Sequence, residues 1–179
     1  MAGIDNFKGK LVGGGARPNL FKALVNFPIG VGGSTELASF MIKGAQLPAS
    51  VIAPIEVPFR GRKLKIAGDR TFEPWTITVI NDTGMEIRRA FERWMHLINA
   101  NQENVSNYQS GVGSLGYMTD MDVIQLDRSG DENGTHSYRI IDAFPTNISA
   151  IDLNYETNDT IEEFTVELNY QYWISADTV

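Results

Sequence analysis

From Phe164 to Ile174 the chain alternates for eleven residues. Phe164, Val166, Leu168, Tyr170, Tyr172 and Ile174 share one face, and Thr165, Glu167, Asn169 and Gln171 share the other, with Trp173 breaking the polar set. Side chains of a strand point to opposite faces with a period of two, so this run reads as a long β-strand with one face buried. Its register is tightly specified, because a slip of one residue would carry the whole apolar set into water. Such a strand obliges the rest of the chain to supply neighbours for its edges and a layer over its apolar face.

Several shorter segments answer that need. "NLFKALVNF" (19–27) and "LASFMIKGAQL" (37–47) are rich enough in large apolar residues to be strands, and "WTITVI" (75–80) alternates with Trp75, Ile77 and Val79 on one side. "IEVPFRG" and "RKLKIAG" flank Gly61 and read as a hairpin or a sharply bent strand pair, with Pro58 at an edge or bulge because it cannot donate to a ladder. "MDVIQLD" (121–127) and "HSYRIIDAF" (136–144) are joined by the turn-rich "RSGDENGT", which predicts a second hairpin. One helix is expected over 83–100. Ile87, Phe91, Trp94 and Ile98 follow one another at steps of four, three and four, and Thr83 and Glu86 have capping-box spacing. Arg88, Arg89 and Arg93 occupy its other faces.

Gly13-Gly14-Gly15 and Pro18 make residues 1–19 read as a flexible or extended N-terminal arm. There is no tandem repeat and no internal linker. The expected fold class is therefore mainly β (α+β): a single domain over residues 1–179, a β-sandwich or partial barrel with one amphipathic helix.

Chemistry finds little to stand on. The chain has no cysteine and two histidines, His96 and His136, which disfavours thiol catalysis and zinc. Gly111 to Gly116 matches G-x-G-x-x-G, yet it follows polar sequence and precedes a strand-like run, so it reads as a loop and not as a dinucleotide site. The acids Asp127, Asp131 and Glu132 miss the spacing of a calcium loop. Asp120 and Asp122 fit no acid/base template, and no serine–histidine–acid set or G-x-S-x-G elbow is present. No catalytic, cofactor-binding or metal-ligating residue is expected. The opening residues lack the apolar core of a signal peptide and no run is long enough to span a membrane, so folding in a cytoplasm is expected.

Charge is the more informative property. The net charge is -7, but residues 1–93 carry 13 Lys/Arg against 8 Asp/Glu, whereas residues 94–179 carry 2 against 14. Five of the basic residues, Arg60, Arg62, Lys63, Lys65 and Arg70, fall in one stretch. Nucleic-acid binding is a poor explanation, because the chain is acidic overall and alternation on a strand would scatter these side chains over two faces. Carboxylates on another copy of the chain are the better partner, a basic surface meeting an acidic one.

The segment "GAQLPASVIAPIEVPFRGRKLKIAGDRTFEPWTITVINDTGMEIRRAFERWMHLIN" (44–99) closely resembles the tail tube proteins of contractile-tailed, T4-like bacteriophages, above all in "PFRGRKLKIAGDRTFEPWTITVIND" and "IRRAFERWMHLIN". The resemblance implies the tail-tube fold, which the inner-tube protein of type VI secretion shares. It implies hexameric rings stacked head to tail inside a sheath, with baseplate and tail terminator proteins as further partners. Phage DNA would pass through the lumen without sequence-specific binding. It places the protein in the virion tail, assembled in the host cytoplasm, with no cofactor. The competing expectation is the inner tube of a type VI-like or other contractile injection system that delivers protein effectors.

The resemblance also assigns roughly Gly44 to Pro58 as a connection reaching the adjacent ring, extended by Pro48, Pro54 and Pro58. Arg60, Arg62, Lys63, Lys65 and Arg70, with Pro48 and Pro54, are the candidate subunit and ring contacts. Glu163 and Glu167, on the polar face of the last strand, are the candidate lumen residues, since carboxylates repel a duplex that Lys and Arg would hold.

Overall fold

The computed structural model describes residues 3–11, 15–103, 116–128 and 136–178. In chain order its elements are α1 (Ile4–Lys10), β1 (Phe21–Leu24), α2 (Thr35–Met41), β2 (Ile42–Ala45), β3 (Ser50–Phe59), β4 (Arg62–Phe72), β5 (Trp75–Ile80), α3 (Glu86–Ile98), β6 (Thr119–Gln125), β7 (His136–Ile148), β8 (Glu163–Asn169) and β9 (Tyr172–Ser175). The strand β7 organises them. Its first half pairs antiparallel with β6 on one edge and with β9 on the other, and its second half pairs with β8. The main sheet runs β1-β6-β7-β8-β5-β2, with β9 beside β7. At Asp142 the backbone turns left-handed, φ 56°, and the strand bends; the Asp142 N–H donates to Asp120 Oδ1 at 3.2 Å. The two halves of the sheet curl around one core, giving the expected partial barrel.

That bend corrects the reading of the last strand. β8 and β9 follow β7 in turn, Ile148↔Val166 and Asn147↔Glu167, then after a one-residue register shift Pro145↔Leu168 and Phe144↔Asn169, and on from Ile141↔Tyr172 to Tyr138↔Ser175. Pairing pauses at Tyr170 and Gln171, opposite the bend, and the faces exchange there. Phe164, Val166 and Leu168 are buried as expected, but Tyr172 is exposed and Trp173 packs against the core. A strand following a partner that turns its faces over must turn its own, and Trp173 is the residue that registers the change.

The core is filled by Trp75, Ile77 and Val79 from β5, Phe164, Val166 and Leu168 from β8, and Ile87, Phe91 and Trp94 from α3. Phe91 and Trp94 stack with centroids 6.1 Å apart, and Phe27 meets Phe91 edge-on at 5.2 Å. The Trp94 Nε1–H is satisfied by Tyr117 O at 2.7 Å, which lets a polar atom accompany so large an apolar surface into the interior. Arg88 and Arg93 are more than solvated charges. Arg93 donates to the carbonyls of Val31 and Gly32, and Arg88 donates to Ser149 O, so the helix ties down two loops.

Three further expectations change. Residues 37–47 are not a strand: α2 occupies Thr35–Met41 and only Ile42–Ala45 is extended. Ser34 Oγ accepts from the Leu37 N–H at 3.2 Å, a side-chain cap that starts a helix whose Ala38, Leu37 and Met41 meet the core. The first strand is also shorter than 19–27, confined to Phe21–Leu24. Within the N-terminal arm, Ile4–Lys10 are helical and not extended, with none of their residues buried. The loops holding Gly111 to Ser114 and Asp131 to Gly134 lie outside the described residues.

The capping box at Thr83 and Glu86 is absent. The helix begins at Glu86, and Asp82 holds its entrance, Oδ1 accepting from the Glu86 N–H and Oδ2 from the Gly84 N–H, each at 3.0 Å. An aspartate on unpaired N–H groups at a helix entrance is worth about 1 kcal/mol, aided by the helix dipole. Asp82→Ala is expected to lower stability in urea unfolding by about 1 kcal/mol, and Thr83→Ala by less than about 0.5 kcal/mol. The opposite order would restore the capping box.

Candidate assembly surfaces

The hairpin of β3 and β4 forms a sheet of its own, hydrogen-bonded to no other described strand. Its register runs from Phe59↔Arg62 at the tip through Glu56↔Lys65 to Pro54↔Ala67, then shifts at a bulge before Ile52↔Arg70 and Ser50↔Phe72. Arg60 and Gly61 form the two-residue turn with φ of 44° and 82°, the positive pair that a type I′ turn requires. Every residue of β3 is exposed, as are most of β4. Pro54 and Pro58 are therefore tolerated within the strand, because a two-stranded sheet consists only of edges. The expected loop over Gly44–Pro58 is mostly this strand: β2 ends at Ala45, Pro48 lies in a short connection, and β3 begins at Ser50.

The faces of the arm differ sharply. Ile55, Val57, Phe59, Leu64 and Ile66 stand on one side, and Phe59 is 67% and Leu64 60% exposed. Glu56, Lys63 and Lys65 stand on the other, where Glu56 pairs with Lys63 at 2.5 Å and with Lys65 at 4.0 Å. Arg62 closes the turn on the apolar side, and the Arg60 guanidinium lies 5.4 Å from the Phe59 ring centroid. The five basic candidates are thus spread over both faces, as alternation predicted: Lys63 and Lys65 pair with Glu56 on the polar side, while Arg60 and Arg62 decorate the apolar tip. Arg70 lies beyond the bulge, toward the body.

The base of the arm is fixed. Trp75 Nε1–H donates to Gln46 O at 2.7 Å, and the Tyr170 hydroxyl and Trp173 Nε1–H both approach Ala49 O at 3.4 Å. Phe72 packs on the Tyr170 ring at 5.9 Å. Burial raises the Tyr170 pKa above its ordinary value, with the nearby Glu73 charge adding to the effect.

Glu163, Thr165 and Glu167 lie on the side of β8 opposite the core, across from Ile80, Thr78 and Thr76 of β5 in that order. Both helices that bury residues, α2 and α3, pack on the inner side, so no described helix covers this polar face. Glu163 is paired with Lys43 at 2.5 Å. No described group of His, Cys, Asp or Glu is arranged to hold a metal ion.

What sequence reading missed is the apolar half of the hairpin. Attention went to its basic residues, although Ile55, Val57 and Phe59 on one side of the turn and Leu64 and Ile66 on the other carry a clear period of two.

Known proteins share this arrangement. The fold matches the tube-terminating cap of the anti-feeding prophage with a TM-score of 0.63, 17% identity and 90% of each chain covered. A chain of the sheath–tube complex of the PVC extracellular contractile injection system gives a TM-score of 0.58 and 15% identity over 93% of this chain and 95% of that one. The fold is thus one found in contractile machines. In sequence, the chain is 34% identical over 158 residues to tail tube protein gp19 of Enterobacteria phage T4, covering 88% of this chain and 90% of the relative. Residues 16–176 match the family model of the phage tail tube protein. The chain belongs to the phage tail tube protein family, and its role is that of a structural tail component, not an enzyme.

The bulge offers a direct test of the arm's independence. A Cβ on Gly68 would lie 2.5 Å from the Ala53 carbonyl oxygen, closer than packed atoms approach. Gly68→Val is expected to open the hairpin and speed tryptic cleavage after Arg60, Arg62, Lys63 and Lys65, while the thermal midpoint of the body stays unchanged. A matching loss of thermal stability would show that the arm is part of the core.

Proposed function

We propose that this chain assembles into hexameric rings that stack head to tail as the inner tube of a contractile phage tail, with the genome passing through the bore. The observation that carries this reading is the projecting hairpin. An isolated two-stranded hairpin is marginal in water, and contiguous exposed apolar surface marks an interaction site. Burying a Val, Leu, Ile or Phe side chain is worth about 1.5–3 kcal/mol when complete. Five partly exposed ones supply enough to dock the arm on another subunit. Docking one surface on a different surface is a heterologous contact, which propagates into a filament. Arg60 and Arg62 at the tip, with Pro48 and Pro54 limiting the freedom of the undocked segment, fit the contact between rings.

The bore is assigned to the polar face of β2, β5 and β8. Thr76, Thr78 and Thr165 make it small and uncharged, and Glu167 adds negative charge while Lys43 offsets Glu163. Such a lining has little to hold phosphates and release their counterions. The sheath–tube complex and the tube-terminating cap in which similar chains occur support a sheath and a terminator as neighbours; a baseplate completes the tail. These assignments place the protein in the virion tail, after assembly in the host cytoplasm. Sequence identity to phage tubes favours DNA over protein effectors as cargo.

Reversing Arg60 and Arg62 to Glu is expected to abolish tubes seen by electron microscopy while leaving circular dichroism and thermal midpoint unchanged. Normal tubes from this variant would remove the arginines from the contact.

A further inference from the structure

The hairpin needs a receiving surface, and the connection between β7 and β8 is built for that task. Residues 149–162 carry Asp152, Glu156, Asp159 and Glu162, Glu163 follows at the start of β8, and no Lys or Arg interrupts them. Leu153, Tyr155 and Ile161 stand among these acids, each more than two-thirds exposed. The connection encloses an open cavity of about 730 Å³ lined by Ile151, Leu153, Tyr155, Ile161 and their acidic neighbours.

Its ends are held firmly. Arg88 Nη1 donates to Ser149 O at 3.2 Å, the Thr165 N–H donates to Ser149 Oγ at 2.9 Å, and Asn81 binds Glu162 through both backbone and side chain. A loop anchored at both ends that still presents three large apolar side chains to water has no cover for them among the described residues. The hairpin has the complementary composition: an apolar face with Arg60 and Arg62 at its tip.

The two leave the body at opposite ends of one copy. The arm joins the body where Trp75 faces Leu168, and the acidic connection joins it where Ile80 faces Glu163, at the opposite end of the same strand pair. The six residues of β5 separate these ends, a span of roughly 17–20 Å at about 3.4 Å per residue. We infer that the β7–β8 connection of one copy receives the β3–β4 hairpin of the copy in the adjoining ring, its apolar side chains closing over the hairpin's apolar face and its carboxylates meeting Arg60 and Arg62. This inference rests on the stacking reading and names its second half. Each copy would then present an arm at one end and a socket at the other, which is the requirement for open head-to-tail growth.

The natural absence of cysteine makes the contact traceable. Val57→Cys and Tyr155→Cys chains, mixed under tube-forming conditions and treated with a short bismaleimide, are expected to give a mixed dimer that neither chain gives alone. As a second measurement, D152K/E156K/D159K is expected to reduce pelletable tube by about tenfold or more, and combining it with R60E/R62E is expected to restore tubes. Tubes that form without the mixed dimer, or that persist through the triple reversal, overturn the socket and leave stacking intact. Dimers from Val57→Cys alone would place hairpin against hairpin and also overturn it. Failure of the unmodified chain to form any tube would overturn the stacking reading itself.

Discussion

A ribbon of two strands with an oily side cannot be content in water, and the design of this molecule turns on that constraint. β3 and β4 satisfy each other's inner hydrogen-bonding groups but have, among the described residues, no third strand and no layer over Ile55, Val57, Phe59, Leu64 and Ile66. Glu56 with Lys63 and Lys65 contributes little, because exposed ion pairs are typically worth less than about 1 kcal/mol. No described part of the chain supplies the missing stabilisation, and on the proposed stacking it comes from another copy. On that proposal, order in the arm and association between copies are one event, and assembly of the tube draws on the coupling.

The body gives the coupling its direction. The bend of β7 at Asp142 lets one strand serve both halves of the sheet, and the stacked Phe91 and Trp94 fill the space between. The resulting scaffold holds the arm at one end of β5 and β8 and the acidic connection at the other. The charge imbalance between the two halves of the chain thereby becomes an imbalance between two ends of a subunit. The face running between those ends carries Thr76, Thr78, Ile80, Glu163, Thr165 and Glu167, and on the proposed assembly it is the wall along which a polyanion slides.

Much of this was legible before any coordinates. Periodicity located β5, α3 and the two hairpins, since one buried face enforces a repeat of two or of three to four. It failed where tertiary context overruled it. Residues 37–41 are apolar in a way that suits strand or helix, and the Ser34 cap decided for helix. The last strand read as a single face because alternation cannot register a bend in a neighbour; Trp173 was the trace of it. Thr83 and Glu86 have the spacing of a capping box, but Asp82 takes the Glu86 N–H that Thr83 would need. On the surfaces, the basic cluster marks the hairpin segment in the sequence, while the apolar face beside it and the exposed Leu153, Tyr155 and Ile161 needed a structure, because exposure is not written in composition.

Hydrogen exchange over residues 50–72, compared between the dissociated subunit and the assembled tube, tests the coupling most directly. The account requires rapid exchange in the free subunit and strong protection in the tube, with β5 and β8 protected in both. Equal protection of the hairpin in the two states would mean that it is stable without a partner, and would contradict the account.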